Sequence, residues 1–465
     1  MFIGRQRELK VLEGFFNDKG ALLVYGLRRI GKTTLIKKAL SDSGRPFVYF
    51  ECQKASEATN VSLFVDLLRE QLDFPRAVFV DFLSVFRALR SCCRDFVFVI
   101  DEYSYMKEYC LESRKADSRL MAERLDSEFQ NIIDEALGDN RLILSGSSIH
   151  LMQSLSEHGS PLYGRFASEI CLRPLSYLEA KEMFPSLSDS SFLALYSVFG
   201  GSPFVLSKID PSSSLETNIC SLLLDEFGVL RSHLRNNVIR ELEGDPDLHE
   251  ILDVIKNGSK KYGEIQAQCH ITTSGLLDKR LKKLLDLDIL EARFPIGKES
   301  DRKKKFYSIK DNLLKFYYAY AFRQENRIGL LGEKRFYEVF IAPSIKDFLS
   351  RRFESIVRDY FSIAVKKGMY PDIIDIGSYF TESSEFDCVL KKTDGTYAVY
   401  EVKLYAKPMK AKEIYEEMSQ AKAIKGLPVT EIGFLCSAGY EKRIEGARYL
   451  TLDDLFFKEK PSTRL

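Results

Sequence analysis

Residues 26–33 read Gly-Leu-Arg-Arg-Ile-Gly-Lys-Thr, the spacing GxxxxGK[ST]. It lies between a strand-like apolar run, ALLVY, and a helix-like run, TTLIKKAL, the context in which this spacing carries chemistry. Gly26 and Gly31 let the backbone curl, so that the N–H groups of Gly26, Leu27, Arg28, Arg29, Ile30, Gly31, Lys32, Thr33 and Thr34 form a cradle for phosphates at a helix N-terminus. Lys32 is expected to reach β- and γ-phosphate oxygens, and Thr33 to place its hydroxyl on Mg²⁺. A second group follows the apolar run FVFVI, which ends in Asp101-Glu102. A carboxylate at the carboxyl end of a buried strand stands where a parallel sheet opens its ligand crevice. Asp101 is expected to hold Mg²⁺ through water, and Glu102 to polarise an attacking water. The chemistry these residues predict is ATP binding with Mg²⁺ and phosphoryl transfer to water.

The elements that must position them are legible as apolar runs of strand length: ALLVYG, FVYFE, FVFVI, RLILSG and the short EICL from Glu169, separated by longer amphipathic stretches. Buried runs alternating with helices predict a parallel sheet covered on both faces. FVYFE lies between the two motifs in sequence, as expected when an extra strand separates the loop strand from the acidic strand. From Pro174 to about Arg240 the pattern is helical.

The stretches FIGRQREL, GLRRIGKT, VIDEYSYM, LSGSSIHLM, LYGRF and FGGSPF, in this order, resemble a prokaryotic family of AAA+-related ATPases, archaeal-type and STAND-like. Its members often carry a winged helix and a nuclease-like carboxyl domain, and the resemblance covers essentially the whole chain. It implies that Gly4 and Arg5 lie on the adenine side and that Ser145 and Ser147 occupy a polar sensor position. It also implies that Arg165, in the YGR triplet, contacts the γ-phosphate, in cis or from a neighbouring subunit.

Near the carboxyl end, SSEFDCVLKKTDGTYAVYEVKLY reads as a β-hairpin around Thr393-Asp394-Gly395-Thr396, and Asp-Gly is a strong turn signal. Asp387 falls on its first strand. Glu401 and Lys403, two apart, share a face of the second. Glu354 lies in the preceding helix and Gln420 in the following one. Acids with a nearby lysine can hold Mg²⁺, activate water and steady a phosphate. The order resembles the PD-(D/E)XK nuclease family, without its usual Pro before the Asp. That resemblance implies Asp387 and Glu401 as metal ligands, Lys403 as the group positioning water or phosphate, and Glu354 and Gln420 in support.

Between these regions, LHEILDVIK, YGEIQAQC and TTSGLLDKRLKKLL are three helix candidates, the third opened by Thr272-Thr273-Ser274, good N-cap chemistry. ILEARFP can pair with KKFYSI as a wing. Lys279, Arg280, Lys282 and Lys283 load the third helix, and Lys298, Arg302, Lys303, Lys304 and Lys305 the wing tip. This resembles a winged helix, able to contact duplex DNA by neutralising phosphates or to serve only in packing.

The expected fold is α/β. A P-loop parallel-sheet ATPase core spans residues 1–173, a helical lid 174–240, a winged helix 241–325 and a small mixed α/β restriction-endonuclease-like domain 326–465. The chain has 465 residues, 45% hydrophobic and 29% charged, with a net charge of +1, so any nucleic-acid contact must come from a local patch rather than from global charge. Nine cysteines without a CxxC pair, and five histidines without HExxH, argue against a zinc ribbon or disulfide framework. No run approaches the ~20 apolar residues of a membrane span, and MFIGRQRELK has no signal core, which points to the cytoplasm. The reading is an ATP-hydrolysing AAA+-type protein with a DNA-contacting winged helix and a nuclease-like domain. An ATP-dependent DNA nuclease, a nucleotide-switched DNA-binding regulator with an inert nuclease-like domain, and a signalling or assembly ATPase that ignores nucleic acid stay open, as does a homo-oligomeric state.

Overall fold

Each apolar run of the amino-terminal region forms a strand: β1 (Gly20–Tyr25), β2 (Phe47–Glu51), β3 (Val97–Asp101), β4 (Arg141–Gly146) and β5 (Phe166–Cys171), the last beginning three residues before EICL. The computed structural model describes residues 2–112, 117–236, 242, 245–271, 273–297, 305–380, 385–422 and 427–458. These strands make one sheet in the order β2-β3-β4-β1-β5, with every pairing parallel. The strand separating the loop strand from the acidic strand is therefore β4, from later in the chain, while FVYFE forms the sheet edge.

β3 and β4 are buried along their whole length, as expected of strands covered on both faces. Their side chains alternate between two apolar layers. Leu23, Phe98, Ile100 and Leu144 join one layer, with Phe82 and Phe86 of helix Phe82–Cys92 and Phe129 of helix Ser118–Asn131. Leu22, Val24, Val99 and Ile143 join the other, with Leu12 of helix Gln6–Asn17 and Leu35 and Ile36 of helix Lys32–Ser43. Each such burial contributes about 1.5–3 kcal/mol, so the site at the carboxyl ends of the strands rests on a rigid base. These elements belong to a compact unit of Met1–Leu175 with Ser202–Phe204; Ser176–Gly201 with Val205–Leu465 form a second.

Three parts follow one another in the second unit. Helices including Asp189–Phe199 and Val229–Leu234 come first. The segment that contains helix Leu452–Leu455 docks on them, with Tyr177 donating to the Leu455 carbonyl at 2.6 Å. Next come helices Pro246–Ile255, Tyr262–Gln268 and Ser274–Asp286, with strands β6 (Lys260–Lys261), β7 (Leu290–Arg293) and β8 (Phe306–Ile309) in a small sheet of order β6-β8-β7. β7 and β8 pair antiparallel, Leu290 opposite Ile309 and Arg293 opposite Phe306. Leu277, Leu281 and Leu284, on one stripe of the third helix, are buried. Thr273 holds its N-cap position without a side-chain cap bond, so the expected capping chemistry is not seen there. Thr272, Lys298, Arg302, Lys303 and Lys304 lie outside the described residues.

The third part is a mixed sheet of order β13-β12-β11-β10-β9, built from β9 (Ile373–Phe380), β10 (Glu385–Lys392), β11 (Tyr397–Lys403), β12 (Val429–Cys436) and β13 (Arg448–Leu450). β9, β10 and β11 are antiparallel, whereas β11, β12 and β13 are parallel. The expected hairpin forms, with Lys391 opposite Tyr397. Asp394 closes its turn by accepting from the Thr396 N–H at 2.8 Å. Helix Ile345–Lys366 packs on this sheet, and helix Ala411–Lys422 carries the chain from β11 to β12. No helix among the described residues is long and apolar enough to cross a membrane.

Candidate functional site

The loop from Gly26 to Gly31 leaves the carboxyl end of β1 and opens directly into helix Lys32–Ser43. Gly26 adopts φ 155°, and a Cβ there would stand 2.6 Å from the Leu172 carbonyl oxygen. Only glycine fits that approach. Ile30 buries its side chain in the sheet's second layer and fixes the loop from below. Arg5, itself in the left-handed region at φ 62°, donates to the Ile30 carbonyl at 3.3 Å. Gly4 precedes it, also with positive φ. Arg28 lies over the Tyr105 ring, and Arg29 over the Phe204 ring. Thr34, next to Thr33 in the first helical turn, is exposed.

Lys32 is buried, and its ammonium folds over the loop, donating to the carbonyls of Gly26 at 2.9 Å and Leu27 at 3.3 Å. It stands 4.0 Å from Glu102 Oε1. Burial pushes its pKa below the usual lysine range, opposed by Glu102 and Asp101. A desolvated cation beside a glycine loop, at the N-terminus of helix Lys32–Ser43, fits a polyanionic ligand.

At the end of β3, Asp101 is buried. Its Oδ2 accepts from the Thr33 hydroxyl at 3.0 Å and from the Tyr49 hydroxyl; its Oδ1 accepts from the Glu102 N–H at 2.9 Å. The hydroxyl of the loop helix and the carboxylate of the acidic strand thus meet, a donor set suited to Mg²⁺ beside phosphates. Glu102 takes φ 52°, turning its side chain toward the end of β4. There its Oε2 accepts from both the N–H of Ser147, at 3.0 Å, and its hydroxyl, at 2.7 Å. Glu102 is held at one oxygen while the other faces Lys32. Of the two sensor candidates, Ser147 makes this contact, whereas the buried Ser145 hydroxyl has no hydrogen-bond partner. Between them, Gly146 admits no side chain, because a Cβ would lie 2.5 Å from the Met152 sulfur.

Arg165 is engaged elsewhere in this structure. Its guanidinium holds both Asp134 carboxylate oxygens at 3.0 Å, and the Pro161 carbonyl at 2.9 Å. Sequence reasoning missed Tyr49, which fixes the orientation of Asp101. The available signal was its place in β2, beside β3, with Glu51 opposite Asp101. Burial and the adjacent Asp101 push the Tyr49 hydroxyl pKa well up, so it stays a donor.

In the carboxyl-terminal sheet, Asp387 on β10 and Glu401 on β11 are close enough to interact. Burial first, and Asp387 second, push Glu401 up to about 8. Asp387 Oδ2 accepts from the Val402 N–H at 3.2 Å. Lys403 reaches Glu401 at 2.5 Å and Glu417 at 3.3 Å, which holds its ammonium pKa above the usual range through those two carboxylates. Gln420 is exposed; Glu417, three residues earlier on the same helix, occupies the place expected of it. Helix spacing from the buried Ile414 and Met418 would have pointed to it. Glu354 does not join Asp387 and Glu401 in a three-acid cluster: no group of three His, Cys, Asp or Glu able to hold a metal occurs among the described residues.

On helix Ser274–Asp286, Lys279, Lys282 and Lys283 are exposed. Arg280 is not part of that face, because its guanidinium pairs with Asp245 at 3.4 Å and with Asp247. Lys305 lies over the Tyr307 ring.

Residues 2–209 match the model of an ATPase domain predominantly from Archaea, and residues 317–416 match a domain of archaeal and bacterial proteins of unknown function. An uncharacterized protein of Methanocaldococcus jannaschii is 26% identical over 441 residues, covering 92% of this chain and 93% of its own. An uncharacterized ATP-binding protein of the same organism is 48% identical over 44 residues, 9% of this chain and 75% of its own. A solved Walker-type ATPase of Pyrococcus abyssi shares the fold, with TM-score 0.51 and 18% identity over 68% of this chain and 96% of its own.

Proposed function

From the premise that residues 2–209 are an archaeal-type P-loop ATPase domain, we propose that the protein is an ATP-hydrolysing switch that works on duplex DNA. The observation that carries hydrolysis is the meeting of Thr33 with Asp101 and of Glu102 with Ser147. Lys32 exchanges the Gly26 and Leu27 carbonyls for phosphate oxygens when nucleotide enters. Thr33 and Asp101 would hold Mg²⁺, which supplies charge neutralisation at the β- and γ-phosphates. The Glu102 oxygen that faces Lys32, Oε1, orients the attacking water, and Ser147 keeps that carboxylate in place. Arg165 reaches the γ-phosphate only after leaving Asp134. Gly4 and Arg5 support the adenine side.

DNA contact falls to the winged-helix part, 241–325, through Lys279, Lys282 and Lys283. The helical lid, 174–240, and the nuclease-like part, 326–465, would respond to the nucleotide. The reading in which that last part binds DNA without cutting it is favoured by Lys403, which is held by two carboxylates. An active nuclease would need Asp387 and Glu401 to hold Mg²⁺ and Lys403 to be freed toward a phosphate.

The test is one incubation of the pure chain with ATP, Mg²⁺ and mixed DNA substrates. Lys32→Ala is expected to abolish nucleotide binding at the phosphate loop, and Glu102→Gln to keep binding there and lose phosphate release. Strand cutting lost in both Asp387→Ala and Lys403→Ala would establish the nuclease reading. Unchanged ATP affinity in Lys32→Ala would overturn the site.

A further inference from the structure

Helix Asn312–Tyr320 is mostly buried apolar and aromatic chain, yet Lys315 sits in its middle, only 7% exposed. Its side chain lines a cavity of about 520 Å³ in the second unit, together with Arg352, Arg351, Arg327 and Lys256. Five cations thus converge, and among the described residues that line the cavity there is no carboxylate. Lys256 pairs with Asp253 at its rim, 2.8 Å away, and Arg351 is held by the Asn257 carbonyl at 2.8 Å. Arg352 is 9% exposed, donates to Asn312 Oδ1 at 3.1 Å, and leaves its Nε without a hydrogen-bond partner. Burial, with Arg352 beside it, pushes the Lys315 ammonium down to about 7. Outside the lining, Glu291 acts on both Lys315 and Arg352, and Glu354 on Arg352. The cations still outnumber these carboxylates, burying like charges together is costly, and an anion in the cavity lowers that cost.

The other wall is aromatic. Phe336 and Phe348 are buried, while Phe340 is 39% exposed and packs at a tilt against Phe336, with 4.9 Å between ring centroids. The guanidinium of Arg327 lies over the Phe340 ring. We infer that this cavity is a second ligand site, for a free nucleotide whose phosphates lie between Lys315 and Arg352 and whose base lies against Phe340. The volume belongs to the range of small-molecule sites, roughly 300–1,000 Å³, and is far larger than one phosphate requires. A nucleic-acid strand would need an open basic groove with several stacking rings instead. This site is separate from the phosphate loop and stands or falls independently of it.

The experiment measures binding of labelled ADP to the full-length chain at equilibrium, with pyrophosphate and a single-stranded oligonucleotide as competitors. Two sites per chain are expected in the unaltered protein and one in Lys32→Ala. In the Lys32→Ala background, Lys315→Met is expected to weaken the retained site at least tenfold. Arg351→Ala, at an exposed position that spares the core, is expected to weaken it severalfold. Pyrophosphate is expected to compete less well than ADP. The inference is overturned if Lys32→Ala binds no ADP, or if the retained site ignores both cavity variants. It is overturned equally if pyrophosphate matches ADP or the oligonucleotide outcompetes it. Failure of the phosphate-loop reading looks different: a single site, indifferent to Lys32→Ala and lost in Lys315→Met.

Discussion

Ser147→Ala isolates the contact that holds the proposed water-orienting carboxylate. The hydroxyl donates to Glu102 Oε2 at 2.7 Å, while the backbone N–H of the same residue keeps its own bond at 3.0 Å. A hydrogen bond to a charged acceptor contributes about 1.5–3 kcal/mol. Ser147 is only 8% exposed, so water does not readily replace the lost donor. If the bond acts wholly on the orientation of Glu102 in the transition state, kcat for phosphate release falls by about 10- to 150-fold, at 1.36 kcal/mol per factor of ten. Nucleotide affinity stays within about twofold, because phosphate-loop N–H groups and Lys32, rather than Glu102, grip the ligand. Steady-state phosphate release, paired with equilibrium binding of a non-hydrolysable ATP analogue, separates the two quantities. Ser147→Thr keeps a hydroxyl and is expected to recover much of the rate. Ser145→Ala is the control, since the Ser145 hydroxyl has no partner to lose, and it should leave kcat unaltered. An unaltered kcat in Ser147→Ala, or a loss of nucleotide affinity equal to the loss of rate, refutes the assignment of this serine as the group positioning Glu102.

Gly26→Ala should lower the melting temperature and weaken nucleotide binding, since its Cβ would meet the Leu172 carbonyl oxygen at 2.6 Å; thermal denaturation should show a loss of about 1–3 kcal/mol. Glu401 has its pKa raised from 4.5 to about 8 in the folded chain, so between these values the folded state binds more protons than the unfolded one. Its contribution is therefore fully present below about pH 4.5, is lost as pH rises toward 8, and is flat beyond. Glu401→Gln is expected to gain stability relative to the unaltered chain across that window in melts at pH 5 and pH 8.5, and an identical difference at both values contradicts the shift. Replacing Lys279, Lys282 and Lys283 together by Ala should weaken duplex binding and reduce the salt slope by roughly 2–3, read from titrations at several salt concentrations. Arg280→Ala should instead destabilise the fold, because its partners are Asp245 and Asp247.

What the sequence disclosed followed from how local its causes were. The phosphate loop could be read directly because a fixed spacing of glycine, lysine and threonine, flanked by strand and helix, dictates its conformation within a dozen residues. The Asp-Gly hairpin was legible for the same reason. Long-range facts were not. That β4 lies between β1 and β3 is decided by packing of whole strands, and FVYFE offers no signal that it belongs on the edge. Arg280 has the same charge and nearly the same place as Lys279, but the helix turns it inward toward Asp245, a residue 35 positions away. Gln420 matched the order of residues in the nuclease resemblance, whereas the helix face presents Glu417 to Lys403. Lys315 is the sharpest case. In sequence it interrupts an aromatic helix and reads as an ordinary charged residue; its significance comes from Arg352 and Arg351 on another helix. Local spacing thus encodes the chemistry a chain can attempt, while the charge balance that decides where an anion binds is set only when distant segments meet.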